Sequence, residues 1–146
     1  MFKDMLEISD KTTLDLREIK SISPYQGGIR YYTTGRKPKS CFAKYSTEKL
    51  FDIIKEQGND NFILFNDRII NLDFIKEVKL EENKEDNKVN IVIFYKESFC
   101  DVFNYTDIKK ANGVLNKLNA ILEQYEKLKI AKRQGRKDIV FNSRLY

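Results

Sequence analysis

Two stretches of the chain combine residue types that could hold phosphates. The first, GIRYYTTGRKPKS, sets Arg30, Tyr31, Tyr32, Arg36, Lys37 and Lys39 on a short extended run and the turn after it, with Lys44 and Lys49 beyond. Cations there would neutralise phosphate oxygens, and the tyrosine rings would stack on unpaired bases. The second, KLKIAKRQGRK, runs from Lys127 to Lys137 with six cations and no acid. As a helix it turns Lys129, Lys132, Arg133 and Arg136 toward one side, with Lys137 following. Contacts of that kind give an affinity that falls steeply with salt. Each stretch also has a plainer use. A strand turns one of two adjacent tyrosines inward, and cations at a helix C-terminus complement its dipole.

Catalytic constellations are scarce. The 146 residues contain no histidine, which removes the usual general base, the Ser-His and Cys-His pairs and most zinc sites. No P-loop follows the glycines of YQGG. The acidic run EENKEDN lacks the alternating ligands and central glycine of a calcium loop. Asp67 and Asp73 flank a strand, as surface acids commonly do. The expectation is a non-catalytic protein without cofactor or metal. Cys41 and Cys100 read as plain strand thiols of a reducing compartment. The start lacks the apolar core of a signal peptide, and no stretch approaches the roughly 20 apolar residues of a membrane span. A cytoplasmic location with no membrane partner is therefore expected.

Charge is segregated along the chain. Residues 1–49 carry ten Lys/Arg and six Asp/Glu, residues 50–126 ten and fifteen, and residues 127–146 seven and one. The net charges are +4, −5 and +6. The basic excess at one end implies an anionic partner.

The elements that must carry these residues read as one module used twice. DLREIKSI (residues 15–22) and NLDFIKEV (residues 71–78) align Leu16, Ile19, Lys20 and Ile22 with Leu72, Ile75, Lys76 and Val78, a constant 56 positions apart. MLEIS, a DK turn and TTLDL match NFILFN, a DR turn and IINL. The SPYQGG loop corresponds to the longer EENKEDN, and IRYYTT to VNIVIF. CFAKY leading to Ser46 corresponds to DVFNY leading to Thr106, each hydroxyl placed to cap a helix. A constant register with one change of loop length is what a repeat produces. The expected fold class is α+β, a tandem duplication of a β-β-β-β-α module. Residues 1–58 form the first module, 59–126 the second with a long helix, and 127–146 a basic helix end and tail, with Ile139, Val140 and Phe141 as a terminal strand or plug.

The first helix is expected from Ser46 to Gln57, ending at Gly58. The second is expected from Asp107 to at least Lys132, with Ile108, Ala111, Leu115, Leu118, Leu122 and Tyr125 in one stripe that Val114, Ile121 and Leu128 widen. Such a helix spans about 36 Å, more than one small module is expected to cover. Leu122, Tyr125 and Leu128 are accordingly the expected face for pairing two copies as a homodimer.

The pattern of an apolar strand, a turn and N-L-D-x-I-x-x-V, carried by Asn71, Leu72, Asp73, Ile75 and Val78, resembles short modules of small bacteriophage proteins and the flagellar-operon proteins of the FlbD/SwrD type. Leu16, Ile19 and Ile22 repeat it, with Asp15 in place of the asparagine. The resemblance implies a small accessory protein encoded by a phage or mobile element, and carries no catalytic residue. The functional expectation is a binding protein that engages nucleic acid or a host nucleoprotein through its basic surfaces. The alternative is a protein-binding inhibitor or adaptor, for example of a host defence nuclease, in which the acidic middle mimics nucleic acid.

Overall fold

A computed structural model describes residues 3–34, 37–86, 88–96, 100–137 and 143–145. The chain is mixed α+β, with two helices and strands in three sheets among the described residues. Its strands are β1 (Met5–Ser9), β2 (Thr12–Asp15), β3 (Ile19–Tyr25), β4 (Gly28–Thr33), β5 (Lys39–Cys41), β6 (Phe62–Phe65), β7 (Arg68–Asn71), β8 (Ile75–Asn83), β9 (Lys88–Tyr95), β10 (Cys100–Tyr105) and β11 (Arg144–Leu145). The helices are α1 (Thr47–Glu56) and α2 (Ile108–Arg133). A 3-10 turn follows β2 at Leu16–Glu18 and another follows β7 at Leu72–Phe74. Each run therefore reads hairpin, 3-10 turn, three strands, helix. That is five strands before each helix, where the sequence suggests four, because the segments after the hairpins break at the 3-10 turns instead of extending them.

The Asx residue of the repeated motif makes that break. Asp15 Oδ1 accepts from the Arg17 N–H at 3.0 Å. Asn71 Oδ1 accepts from the Asp73 N–H at 3.0 Å. A side-chain acceptor two residues upstream offers the backbone a turn instead of continued strand. Immediately downstream the pairing slips in both runs. β3 shifts register against β4 between Ile19 and Ser21, and β8 shifts against β9 between Ile75 and Glu77, 56 positions later.

The chain divides into two compact units, residues 1–73 with 143–146, and residues 74–142. The boundary at 73/74 differs from the repeat boundary at 58/59, because the hairpin β6–β7 is used by the first unit. Its turn, Asn66-Asp67, has both φ angles positive, at 47° and 62°, as the tight hairpin turn requires. β7 pairs antiparallel with β3 through Ile70–Ser21 and Ile69–Ile22. The resulting six-stranded sheet has the order β11-β6-β7-β3-β4-β5, and β1–β2 forms a separate two-stranded sheet. Leu50, Phe51 and Ile54 of α1 pack into a core with Leu6, Ile8, Leu16, Ile19, Ile22, Phe62 and Ile69. Ser46 caps α1 as expected, its hydroxyl accepting from the Lys49 N–H at 3.2 Å. At the other end of the chain, β11 lies parallel to β6. Arg144 reaches Glu48 at 3.2 Å, pairs with Asp52 and lies over the Phe51 ring. The expected terminal strand at Ile139, Val140 and Phe141 lies outside the described residues.

The second unit is a three-stranded antiparallel sheet, β10-β9-β8, with α2 packed against all three strands. Tyr95 donates its hydroxyl to Asp101 at 2.7 Å in the interior. Asp107, not Thr106, caps α2, accepting from the Lys109 N–H at 2.9 Å. The end of α2 is closed by Gly135 at φ 72°. There the Arg136 N–H donates to the Ala131 carbonyl and the Gly135 N–H to that of Lys132, the paired bonds of a glycine-terminated helix.

The buried line of α2 is Ala111, Val114, Leu118, Ile121, Tyr125, Leu128 and Ala131. Leu115 and Leu122 are only half-buried, and Ile108 is exposed. Tyr125 and Leu128 are thus already covered in the single chain, 6% and 8% exposed, which removes the premise for a pairing face there. β8 continues to Asn83 and pairs through to Lys88, so Glu81, Glu82 and Asn83 of the expected 81–87 loop are strand.

Candidate nucleic-acid interface

The expected Arg/Tyr surface is split by the pleat. Cross-strand pairs share a face and neighbours along a strand alternate. Tyr31 stands opposite Ile22 and Lys39 and packs against the helix-side core. Burial pushes its hydroxyl above its ordinary pKa. Arg30 stands opposite Ser23 and Ser40, and Tyr32 opposite Ser21, on the other face. The Arg30 guanidinium carbon lies over the Tyr25 ring, 3.7 Å from its centre. Lys37 and Lys39 are exposed; Arg36 lies outside the described residues.

One residue was not singled out from the sequence. Phe42 is 73% exposed. Its neighbours Cys41 and Ala43 both turn to the core, so Phe42 between them must turn outward. Burial raises the Cys41 thiol pKa, in keeping with an inert packing role. The strand that presents Phe42 lies close to β4 because residue 28 is glycine. A Cβ at that position would fall on the Cys41 carbonyl oxygen and within 3.2 Å of the Phe42 Cα, so any larger residue would push β5 away. Tyr45 is also partly exposed, with the Lys44 ammonium 6.0 Å from its ring centre and 3.8 Å from Asp10.

The segment that builds this face is acid-free. Residues 19–45 hold Lys20, Arg30, Arg36, Lys37, Lys39 and Lys44 and no Asp or Glu. Lys20 is buried; among the described others, Arg30 is half-buried and Lys37, Lys39 and Lys44 are exposed.

The second basic stretch is only partly helical. α2 stops at Arg133, so Arg136 and Lys137 lie beyond the Gly135 turn instead of continuing the helical row. Lys132, Arg133, Arg136 and Lys137 are exposed. Lys129 is half-buried and engaged, 2.8 Å from the Glu126 carboxylate and 4.9 Å from the Tyr125 ring centre. Arg136 bonds Gln134 at 3.3 Å. Arg144, the remaining cation of the tail, is held by α1 of the first unit.

Among the described residues no group of three or more potential ligands could hold a metal ion. No helix there is long and apolar enough to cross a membrane. Comparison with protein-family models, with curated proteins and with solved structures finds no match in any of the three. The likeness to the FlbD/SwrD type therefore rests on the N-L-D-x-I-x-x-V residues alone, and in this chain those residues set a turn and fill a core.

Proposed function

We propose that this is a non-catalytic binding protein that engages nucleic acid, or a nucleoprotein, through two basic surfaces. The observation that carries the reading is the pair of acid-free stretches, residues 19–45 and 127–137, each with six Lys/Arg. In a chain where acids make up nearly half of the charged residues, 22 against 27, such stretches concentrate positive potential where a polyanion would lie. Exposed cations stand in both stretches, Lys37, Lys39 and Lys44 in one and Lys127, Lys132, Arg133, Arg136 and Lys137 in the other. The test is fluorescence anisotropy with labelled DNA and RNA, both single strands and duplexes, at two salt concentrations. About six phosphate contacts would lower the affinity by about three orders of magnitude between 50 and 200 mM salt. No binding to any of these at low salt rejects the reading.

A second reading draws on the acidic side of the molecule. β8 and its hairpin expose Glu77, Glu81, Glu82, Glu85 and Asp86, with Lys79 3.5 Å from Glu77, an acid excess that a basic groove of a partner protein would accept. An inhibitor or adaptor acting by nucleic-acid mimicry would be captured with a stoichiometric protein partner from nuclease-treated lysate, and loss of that partner after nuclease rejects it.

The architecture itself we read as a tandem duplication. Its support is the repeated order of hairpin, 3-10 turn, three strands and helix, the Asx turn at Asp15 and Asn71, and the register slip at Ile19 and Ile75, each 56 positions apart.

A further inference from the structure

We propose that the cleft at the N-terminus of α1 is a nucleotide site, in which Lys44, Thr47 and Glu48 hold a phosphomonoester and Tyr45 and Asp67 flank the nucleoside. The ligand is a free nucleotide or the phosphorylated end of a strand, two sources of one chemistry. The inference goes beyond the basic surfaces, since Lys44 alone among these groups belongs to them. The cleft has a volume of about 460 Å³. The turn between β3 and β4 forms one wall at Pro24 and Gly27, and the link from β5 into α1 forms another from Ala43 to Glu48. Asp67 of the β6–β7 turn stands on the third side. All of these residues lie in the first unit.

Two independent observations point to an anion. The first is the helix end. Ser46 accepts the Lys49 N–H, which leaves the Thr47 and Glu48 N–H groups, the first two of α1, without a partner among the described residues. Such groups carry partial positive charge and favour a phosphate. The second is the Thr47 side chain. Thr47 is 6% exposed, yet its hydroxyl has no hydrogen-bond partner among the described residues. The oxygen is not enclosed by protein, so it opens on the cleft that the residue lines. A hydroxyl withdrawn from bulk water and left unpaired costs stability until a ligand supplies its acceptor. Lys44 adds a cation, 6.0 Å from the Tyr45 ring centre. Its ion pair with Asp10, at 3.8 Å, joins two exposed groups and competes weakly. Glu48 is the acid of the first turn, but Arg144 lies 3.2 Å from its carboxylate and offsets its charge. Asp67 is exposed. Its carboxylate repels a bare phosphate and accepts hydrogen bonds from sugar hydroxyls, while the Tyr45 ring offers a base its face. The mixed lining thus favours a nucleotide over inorganic phosphate.

The experiment follows the backbone amide resonances of the full chain during titration with adenosine monophosphate, adenosine, inorganic phosphate, sulfate, and an oligothymidylate with or without a terminal phosphate. The Thr47 and Glu48 amides should move with adenosine monophosphate, less with inorganic phosphate, and not with adenosine at the same concentration. Thr47→Val should weaken the nucleotide by about ten-fold, the loss of one hydrogen bond to a charged group, and Thr47→Ser should retain it. Because the hydroxyl has no partner in the fold, thermal unfolding of Thr47→Val should occur at or above the temperature of the parent chain. Unmoved amides with every phosphate, an equal response to sulfate and adenosine monophosphate, or full nucleotide affinity in Thr47→Val overturns the site. A response to the phosphorylated strand but not to its hydroxyl-ended twin identifies a strand end as a source; a response to the mononucleotide alone identifies the free nucleotide. If the strands bind without moving these amides and adenosine monophosphate also leaves them still, the site falls while the broader reading of the basic surfaces stands. If adenosine monophosphate binds here and no strand binds anywhere, the site stands and the broader reading falls.

Discussion

Two meanders of the same order serve opposite ends of the electrostatic scale. From Ile19 to Tyr45 the chain carries six Lys/Arg and no acid; from Ile75 to Tyr105 it carries five Lys and seven Asp/Glu. The first meander places β3 inside a larger sheet, with β4 on one side and β7 on the other. Ser21 and Ile22 are fully buried there. In the second meander, among the described residues, β8 pairs with β9 only, and its equivalent positions Glu77 and Val78 are exposed and half-buried. β8 carries Lys76, Glu77, Lys79, Glu81 and Glu82. Charges along an outer strand discourage a further strand from adding to it. The same backbone plan thus builds an inner strand where the sequence is IKSIS and an outer one where it is IKEVK. The difference teaches that the side chains, not the module, decide whether a strand accepts a neighbour, and that the charge freed from this protective duty in the first meander is all of one sign.

The largest effect that sharpens this comparison comes from the core. Ile22→Ala removes a fully buried side chain and should destabilise the fold by about 3–4 kcal/mol. Val78→Ala, at the equivalent place, removes half-buried methyls and should destabilise by about 1 kcal/mol. Urea unfolding of both variants measures the gap, and equal losses would break the distinction between inner and outer strand.

The Asx residues provide a second pair. Asn71 is 1% exposed and makes three hydrogen bonds: its Nδ2 donates to the Ile19 carbonyl at 2.8 Å, and its Oδ1 accepts from Asn61 Nδ2 and the Asp73 N–H. Asn71→Ala removes one buried and two part-buried hydrogen bonds and should destabilise by about 2–3 kcal/mol. Asp15 performs the same turn nearer solvent, and Asp15→Ala should destabilise by about 0.5–1 kcal/mol. Thermal unfolding of the two variants should rank them in that order.

The smallest effect is a pH dependence confined to the first copy. The hydrogen-bonded Arg17 side chain beside Asp15 holds its carboxyl below the ordinary value of 3.8. Because the group binds its proton less readily in the folded chain than in the unfolded one, its contribution is present above that ordinary value. It is lost as the pH falls through the lowered folded value. Asn71 does not titrate. Asp15→Asn should therefore flatten the acid limb of a stability-against-pH curve slightly, by being slightly less stable than the parent at neutral pH and converging with it below the lowered folded value. An unaltered acid limb would show that the pair is fully screened by solvent.

Much of the local structure was legible in the chain. Asn66-Asp67 supplied the turn chemistry that a two-residue hairpin needs, Ser46 and Gly58 marked the ends of α1, and the spacing of three and four along residues 111–128 specified α2. The constant offset of 56 and the segregation of charge were likewise visible. These signals are local: a cap or a positive φ involves residues two to four apart, and helical periodicity is read within a few turns. Other features were decided only by tertiary structure. Nothing in RIIN says that β7 pairs with β3, since strand edges some fifty residues apart compete for the same backbone hydrogen bonds. EENKEDN reads as loop by composition, yet pairing with β9 carries β8 to Asn83. Arg144 belongs by sequence to a basic tail and by folding to two acids of α1. Tyr31 and Tyr32 are adjacent in the chain and on opposite faces of the sheet. Phe42, an aromatic in an apolar run, reads as core until Cys41 and Ala43 take the inward positions on either side. Composition determined what kinds of contact this protein can make. Which side chains face water was settled by the pairing of strands distant in sequence, because only that pairing fixes which face of each strand is enclosed.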